Sequence, residues 1–438
     1  MSGAVAAHAA YNGSGTQGLA VTNKIHDDDG DVMSVFWNKN DTTRQLLYGS
    51  SIIEIPASGS GGNLNAGGNQ NFTVNNDIDA LGDLYLQIST SGISSTNTAV
   101  VNSLDLLKCI KRVEFMVGTQ VWQTLEAEDI TALNMTEMSE DAFESFTLAM
   151  TGGFSKTGTR NAVSTSGGDL QSHASNDITG VLRIPALSRS YGPRFAKYTD
   201  ISENSYLLAA APHQAVKIRV YMVTSPKFNG ATVSGLTFNL KLFGQCVVMC
   251  NEEREQMKAM PMGLPKRLKM TQNTSKVLTW DSTTLTPIPQ ILDLDHFSLY
   301  ASHIILVVTN TGTGISNSSI DTVELKLNSS SFSGTLDGAL LTGSAADALG
   351  LFSNGFFIGT ANYADNYYVF PLASFAYGGS SVPLNRFDNI RMEVNVVFTA
   401  PTPSNTPANP TYGYTLSATC VGETTALYKG GAASLAMY

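Results

Sequence analysis

Charge is scarce in this 438-residue chain: Asp, Glu, Lys and Arg make up 14% of it, against roughly 25% in an ordinary soluble domain. What charge there is sums to −10. A protein that neutralises a phosphate backbone needs a basic face, so direct nucleic-acid binding is not expected. Cysteine is scarce too. Cys109, Cys246, Cys250 and Cys420 are too few and too dispersed for a disulfide framework, and they read as buried free thiols. No apolar run approaches the about 18 residues of a membrane-spanning helix. The opening MSGAVAAHAAYNGSG lacks a basic stretch followed by an apolar one, so the expectation is a chain made and folded in the cytosol. The triplets starting at Asn71, Asn273 and Asn328 then carry little weight as glycosylation signals.

Catalytic patterns are missing as well. The histidines are His8, His26, His173, His213, His296 and His303, with no HExxH and no pair at zinc-helix spacing. No GxSxG elbow and no GxxxxGK[ST] loop occurs. Asp293 and Asp295 could serve as an acid–base pair on a sugar, but Asp is a common turn residue and nothing nearby marks a cleft. Asp27, Asp29 and Asp31 alternate like calcium ligands, yet the glycine falls at Gly30 and the distal Glu is absent. Lys266, Arg267 and Lys269 form one small basic cluster, read as a solvated linker. The expectation is a protein that is not an enzyme, with no catalytic residues, metal or cofactor.

What is present is β-structure. Hydrophobic residues reach 42%, and Ser, Thr, Asn and Gly fill the place of charge. Short runs with period-two alternation recur, separated by polar turns such as Ala57 to Gln70. They include SIIEIP from Ser51, LYLQIST from Leu84, AVKIRVYMV from Ala215, TVELKLNSSS from Thr322 and RMEVNVVF from Arg391. Thr124 to Met150 has apolar residues at helical spacing and predicts a helical insertion; Leu340 to Leu351 predicts a second helix. Residues 1–33, rich in Gly, Ala and Asp, read as a flexible arm. Asn251 to Thr274 is charged, carries two prolines and lacks alternation, which predicts a short helix and a linker. The organisation expected is therefore an arm at 1–33, a first β-domain at 34–250, a connection at 251–274 and a second β-domain at 275–438.

Several segments, in order, resemble the double-jelly-roll major capsid proteins of nucleocytoplasmic large DNA viruses. They are Val35 to Ile55, Phe72 to Thr90, Lys111 to Ser139, Glu203 to Met222 and Cys246 to Met270. The most specific is PLNRFDNIRMEV, with Asn385, Arg386, Asp388, Asn389 and Arg391 at the family's positions; ALYKGGAASLAMY resembles the family's ending. An Arg-Arg pair expected after the first aromatic strand is missing, and SRSYGPRF from Ser188 is thinner in aromatics than the family's cluster, so the chain resembles a divergent member. The resemblance implies an all-β fold of two consecutive eight-stranded jelly-roll barrels with short helical insertions. It implies a structural major capsid protein that forms homotrimeric, pseudo-hexameric capsomers in an icosahedral virion. Partners would be neighbouring capsomers, minor capsid or cement proteins and pentons. Assembly would take place in the host cytoplasm. Loops such as Thr151 to Gly168 and Thr311 to Ser319 would face outward, toward host surfaces or glycans. The motif at Asn385 to Asn389 would fix a loop through side-chain to backbone hydrogen bonds. A carbohydrate-binding or adhesive β-sandwich shares the composition, but it needs an aromatic platform or a calcium site. A minor capsid protein of the same lineage is the nearer alternative.

Overall fold

The computed structural model describes residues 48–59, 64–75, 77–91, 100–102, 105–137, 170–172, 178–185, 206–228, 231–232, 234–249 and 254 in the N-terminal part. In the C-terminal part it describes 264–280, 288–310, 318–342, 367–372, 381–398 and 412–436. The acidic arm, His8, His26, His173, Cys250, Ser188 to Phe195, the loop Thr151 to Gly168 and most of Thr311 to Ser319 lie outside these residues.

Eight strands build a first sandwich: β1 (Tyr48–Ile55), β2 (Asn69–Thr73), β3 (Ala80–Ser91), β4 (Ile110–Val117), β5 (Gln120–Glu126), β6 (Ile178–Ile184), β7 (Val216–Met222) and β8 (Thr237–Met249). Their antiparallel sheets run β1-β8-β3-β6 and β2-β7-β4-β5. Eight more follow: β9 (Leu264–Trp280), β10 (Ile288–Asp293), β11 (Tyr300–Asn310), β12 (Ser318–Leu327), β13 (Ser330–Asp337), β14 (Tyr367–Pro371), β15 (Ile390–Phe398) and β16 (Tyr412–Lys429). These run β9-β16-β11-β14 and β10-β15-β12-β13. Adding eight to every label of the first sandwich reproduces the second. In both, the first strand lies beside the last and the second beside the seventh, which is the strand order of a jelly roll.

The alternation seen in the sequence is realised as burial. Val216, Ile218, Val220 and Met222 point inward along β7, and Ile390, Met392, Val394 and Val396 along β15. Each such side chain contributes about 1.5–3 kcal/mol. One contiguous apolar core runs through both sandwiches. The repeat extends to the connections. The tight turn between β4 and β5 has Gly118 at φ +61°, and the matching turn between β12 and β13 places Asn328 and Ser329 at φ 49° and 67°. In the second turn both central residues have positive φ, which suits the right-handed twist of the flanking strands. A helix then follows each fifth strand: α1 (Ala127–Glu137) after β5 and α2 (Gly338–Leu341) after β13.

Four expectations need correction. The helix predicted from Thr124 begins only at Ala127, because Thr124 to Glu126 complete the ladder of β5 against Glu114, Val113 and Arg112 of β4. Residues 138–150 lie outside the described part. The helix predicted from Leu340 is instead the short α2, which ends at Leu341; residues 343–351 are not described. The run from Thr322 to Ser331 is two strands, broken at Asn328 and Ser329. Finally, residues 264–274, expected in the connection, are the first part of β9. Lys266, Arg267 and Lys269 pair there with Ala426, Thr425 and Glu423 of β16. Among the described strands β9 lies at a sheet edge, where Pro265 is tolerated, and so do β10 with Pro289 and β14 with Pro371.

Candidate functional site

The helix α1 is a crossbar between the two sandwiches, and two of its side chains explain why. Asp129 stands in its first turn and reaches back so that Oδ2 accepts the backbone N–H of Glu126 at 2.9 Å. A carboxylate there satisfies an orphan donor and meets the positive end of the helix. The same carboxylate accepts from Asn273 Nδ2 of β9 at 3.0 Å and from the hydroxyl of Thr419 on β16. Thus one first-turn residue of the first sandwich holds two neighbouring strands of the second. Beside it, Gln123 Nε2 of β5 donates to Thr271 Oγ1 of β9 at 3.1 Å. The Tyr367 hydroxyl of β14 bonds Thr131, whose own hydroxyl donates to Ala127 O at 3.0 Å.

Asp129 is buried, with 3% exposure. Burial pushes its carboxyl up to about 6; the bonds from Thr419, Glu126 N–H and Asn273 pull it back down, and Glu128 adds to the rise. Burial also raises Glu126, with help from Asp129 and Glu128. Further along α1, Asn134 Nδ2 donates to Arg183 O at 3.0 Å, and its Oδ1 accepts from Arg183 Nη1 at 3.2 Å. Arg183 of β6 in turn forks onto Asp83 of β3, with Nε–Oδ2 at 3.1 Å and Nη2–Oδ1 at 3.2 Å. Bidentate pairing fixes direction as well as distance. The helix is therefore bound to its own sheet by Asn134 and to the other sandwich by Asp129.

A second contact ties the sandwiches through Tyr206 to Gln214, the Leu-rich segment of the resemblance. Tyr206 and Leu207 pair with Leu81 and Ala80 of β3. The Tyr206 ring stands 5.8 Å from Phe115, 5.6 Å from Trp122 and 5.6 Å from Tyr428 of the second sandwich. The Tyr428 hydroxyl accepts from Leu207 N at 3.3 Å. Past Tyr428 the chain turns at Gly430 and Gly431, both at positive φ, into the strand Ala432–Ala436. His213 N donates to Gly431 O at 3.0 Å, and Ala433 N donates to Gln214 Oε1 at 2.7 Å. A Cβ on Gly431 would stand 2.3 Å from the His213 ring, so this contact requires glycine there.

The residues singled out in the sequence are dispersed. His213 is exposed at the joint; His296 rests on Phe297 with Nε2 3.2 Å from Asn273 O; His303 is buried beside Ser302. Asp293 pairs with Arg391 at 3.4 Å, while Asp295 accepts Ile390 N at 2.7 Å, so the two carboxylates have separate structural tasks. Cys109, Cys246 and Cys420 are buried. Among the described residues no three His, Cys, Asp or Glu side chains gather as a metal set. The loop at Asn385 to Asn389 is held from outside itself: Asn328 Oδ1 accepts Asp388 N at 3.1 Å and Asn389 N at 3.2 Å. Asn71 and Asn273 also serve in hydrogen bonds, Asn71 with Arg219 Nε at 2.7 Å. Sequence reasoning missed Asp129, Asn273 and Thr419; the acidic residue three places after a strand end was the one local signal.

Sheet order and joint together define a class, the double jelly roll. Comparison with solved structures agrees. The chain is similar to VP54 of PBCV-1, as fitted into a cryo-EM reconstruction of the virophage Sputnik, with 12% identity and TM-score 0.66 over 90% of this chain and 98% of that one. It is similar to the PBCV-1 virus capsid, with 12% identity and TM-score 0.64 over 90% and 98%. The Faustovirus major capsid protein follows the same fold, with 9% identity and TM-score 0.54 over 88% and 91%. No family model matches the chain, and no curated protein matches it in sequence. At these identities what is shared is the fold: the chain has the double-jelly-roll fold of these viral capsid proteins, in a divergent sequence.

Proposed function

We propose that this chain is the major capsid protein of an icosahedral large DNA virus, with three copies forming a capsomer of pseudo-six-fold outline. The observation that carries the reading is the repeated strand order together with the joint. Two copies of one sandwich, held by Asp129, Asn273 and Thr419 on one side and by Tyr206 and Tyr428 on another, give a single subunit two similar footprints. Three such subunits would present six. The role is structural and non-enzymatic. Its place is the virion, with assembly in the host cytoplasm, and its partners are neighbouring capsomers, minor capsid or cement proteins and pentons. The low charge fraction supports broad interfaces with few charges at their centres. The two sandwiches act as two domains, preceded by the arm at 1–33, with outer loops available to host surfaces or glycans.

Native mass spectrometry of the purified full chain tests this. A stable species at three chain masses, with a six-lobed outline in negative-stain images, is expected. A monomer that stays monomeric on concentration overturns it.

A further inference from the structure

The repeated strand order matches the two sandwiches residue by residue. Each has one irregularity in the ladder between its third and last strands, at Gly244 to Cys246 and at Ala301 to His303. On one side of it Leu81 pairs with Cys246 and Ala301 with Gly422; on the other, Leu84 pairs with Gly244 and Ile304 with Cys420. Counting on from these pairs sets Ile52, Glu54, Phe243 and Val181 of the first sandwich on Thr271, Asn273, Thr419 and Tyr367 of the second. Glu126 and Asp337 each end the fifth strand, directly before a helix. Asp129 of α1 then falls on Leu340 of α2 and Ile130 on Leu341, and both Ile130 and Leu341 are fully buried.

Inside the chain, Asp129 of the first sandwich meets Asn273 and Thr419 of the second, and Thr131 meets Tyr367. The matching positions on the second sandwich's helix and on the first sandwich's sheet are exposed and largely apolar. Leu340 is 36% exposed where Asp129 is 3%, and Phe332 of β13 is 47% exposed. Ile52 and Val181 are 64% and 40% exposed where Thr271 and Tyr367 are 5% and 8%. Half-buried Phe243 stands at the place of Thr419. Both sides of the joint have therefore changed together, a leucine for the carboxylate and apolar side chains for its hydroxyl-bearing surroundings. Glu54, at the place of Asn273, is exposed and is the one charge among these positions.

We propose that these two faces bind each other between copies of this chain. Leu340 and Phe332 of one copy dock on Ile52, Phe243 and Val181 of the next, in the pose in which Asp129 docks on Asn273 and Thr419. The contact is head-to-tail, because each copy turns a different face to each of its neighbours. Such contacts form a ring where the rotation closes and a filament where it does not. Closure at three rests on the capsid reading above: one pose then recurs around six sandwiches, through Asp129 within chains and through Leu340 between them. The change of chemistry keeps the two joints distinct. An Asp129 face laid on Ile52 and Phe243 would bury a carboxylate without its hydrogen-bond partners, which is costly, whereas Leu340 gains from burial there. The mismatch excludes the wrong pairing and the match supplies affinity.

The test measures the mass of the full chain by light scattering after size exclusion, at a concentration where the parent is a trimer. Leu340→Asp and, separately, Ile52→Asp are expected to give monomers. Val277→Asp, at a position 71% exposed and outside both faces, is expected to leave the trimer intact. Thermal unfolding checks that each variant is folded. Leu340→Ser and Ile52→Ser are milder variants, expected to raise the concentration for half-assembly about tenfold or more. Direction is read from cysteines: Leu340→Cys chains co-expressed with Phe243→Cys chains should link in pairs on mild oxidation, and neither variant alone should link. A parent trimer that survives the Asp variants overturns the inference and leaves the capsid reading standing, whereas a monomeric parent ends both. Dissociation by Val277→Asp to the same degree also overturns the inference, because the effect is then not confined to the two faces. So does linking of either cysteine variant with itself, which marks a two-fold contact, or no linking in the mixture.

Discussion

Asn273 of β9 donates to Asp129 Oδ2 at 3.0 Å, so a strand of the second sandwich caps the carboxylate that itself caps helix α1 of the first. Local helix chemistry and the union of two domains share one side chain.

That side chain makes the joint sensitive to pH. Burial raises the Asp129 carboxyl from 3.8 to about 6 in the folded chain. The folded state therefore holds this proton more tightly than the unfolded one. The contribution to stability is fully present below about pH 4 and is lost as pH rises through about 6. Urea unfolding of the parent chain and of Asp129→Asn, from pH 4.5 to 7.5, is expected to show a downward slope in the parent that the variant lacks. The difference between them is on the order of 2–3 kcal/mol. Identical slopes would refute the assignment.

Gly431 is expected to tolerate no side chain while His213 stands against it. Gly431→Ala should destabilise the chain by about 1–2 kcal/mol from its left-handed backbone, and further through the contact with the ring. Adding His213→Ala should recover the second part and not the first. A double-mutant cycle by denaturant unfolding separates them, and a coupling of zero would remove the close approach as a cause.

Ser329 occupies the second positive-φ position of the turn between β12 and β13, where glycine is preferred. Ser329→Gly is expected to raise stability by about 0.5–1 kcal/mol, read as a higher denaturant midpoint. A lower midpoint would mean that the left-handed backbone is not strained at Ser329.

Arg183 and Asp83 form a buried fork between β6 and β3, with Asn134 of α1 attached. Arg183→Leu strands the Asp83 carboxylate and should cost about 3–5 kcal/mol. The double change Arg183→Leu with Asp83→Leu should cost less, because no unpaired charge is left buried. Equilibrium unfolding of the three chains decides it. A double variant worse than the single would show that the fork contributes more than charge neutralisation.

Much of the fold is legible in single strands. VKIRVYM and IRMEVNV alternate apolar with polar residues because one face of each meets the core, and this period survives in any tertiary setting. Less legible are strands whose surroundings break the rule. β14, YYVFP, is buried at four of its five residues and shows no alternation; β13, SSFSGTLD, is mostly exposed. The start of β9 is hidden by Pro265, which only an edge position permits.

The sequence by itself determined the class: little charge, few cysteines, alternating runs and ordered family-like segments make an all-β chain of two jelly rolls. Tertiary structure alone decided how the two are joined. Asp129 meets Asn273 across 144 positions and Thr419 across 290. Contacts at such separations leave no periodic trace, because they depend on where two finished sandwiches bring their edges.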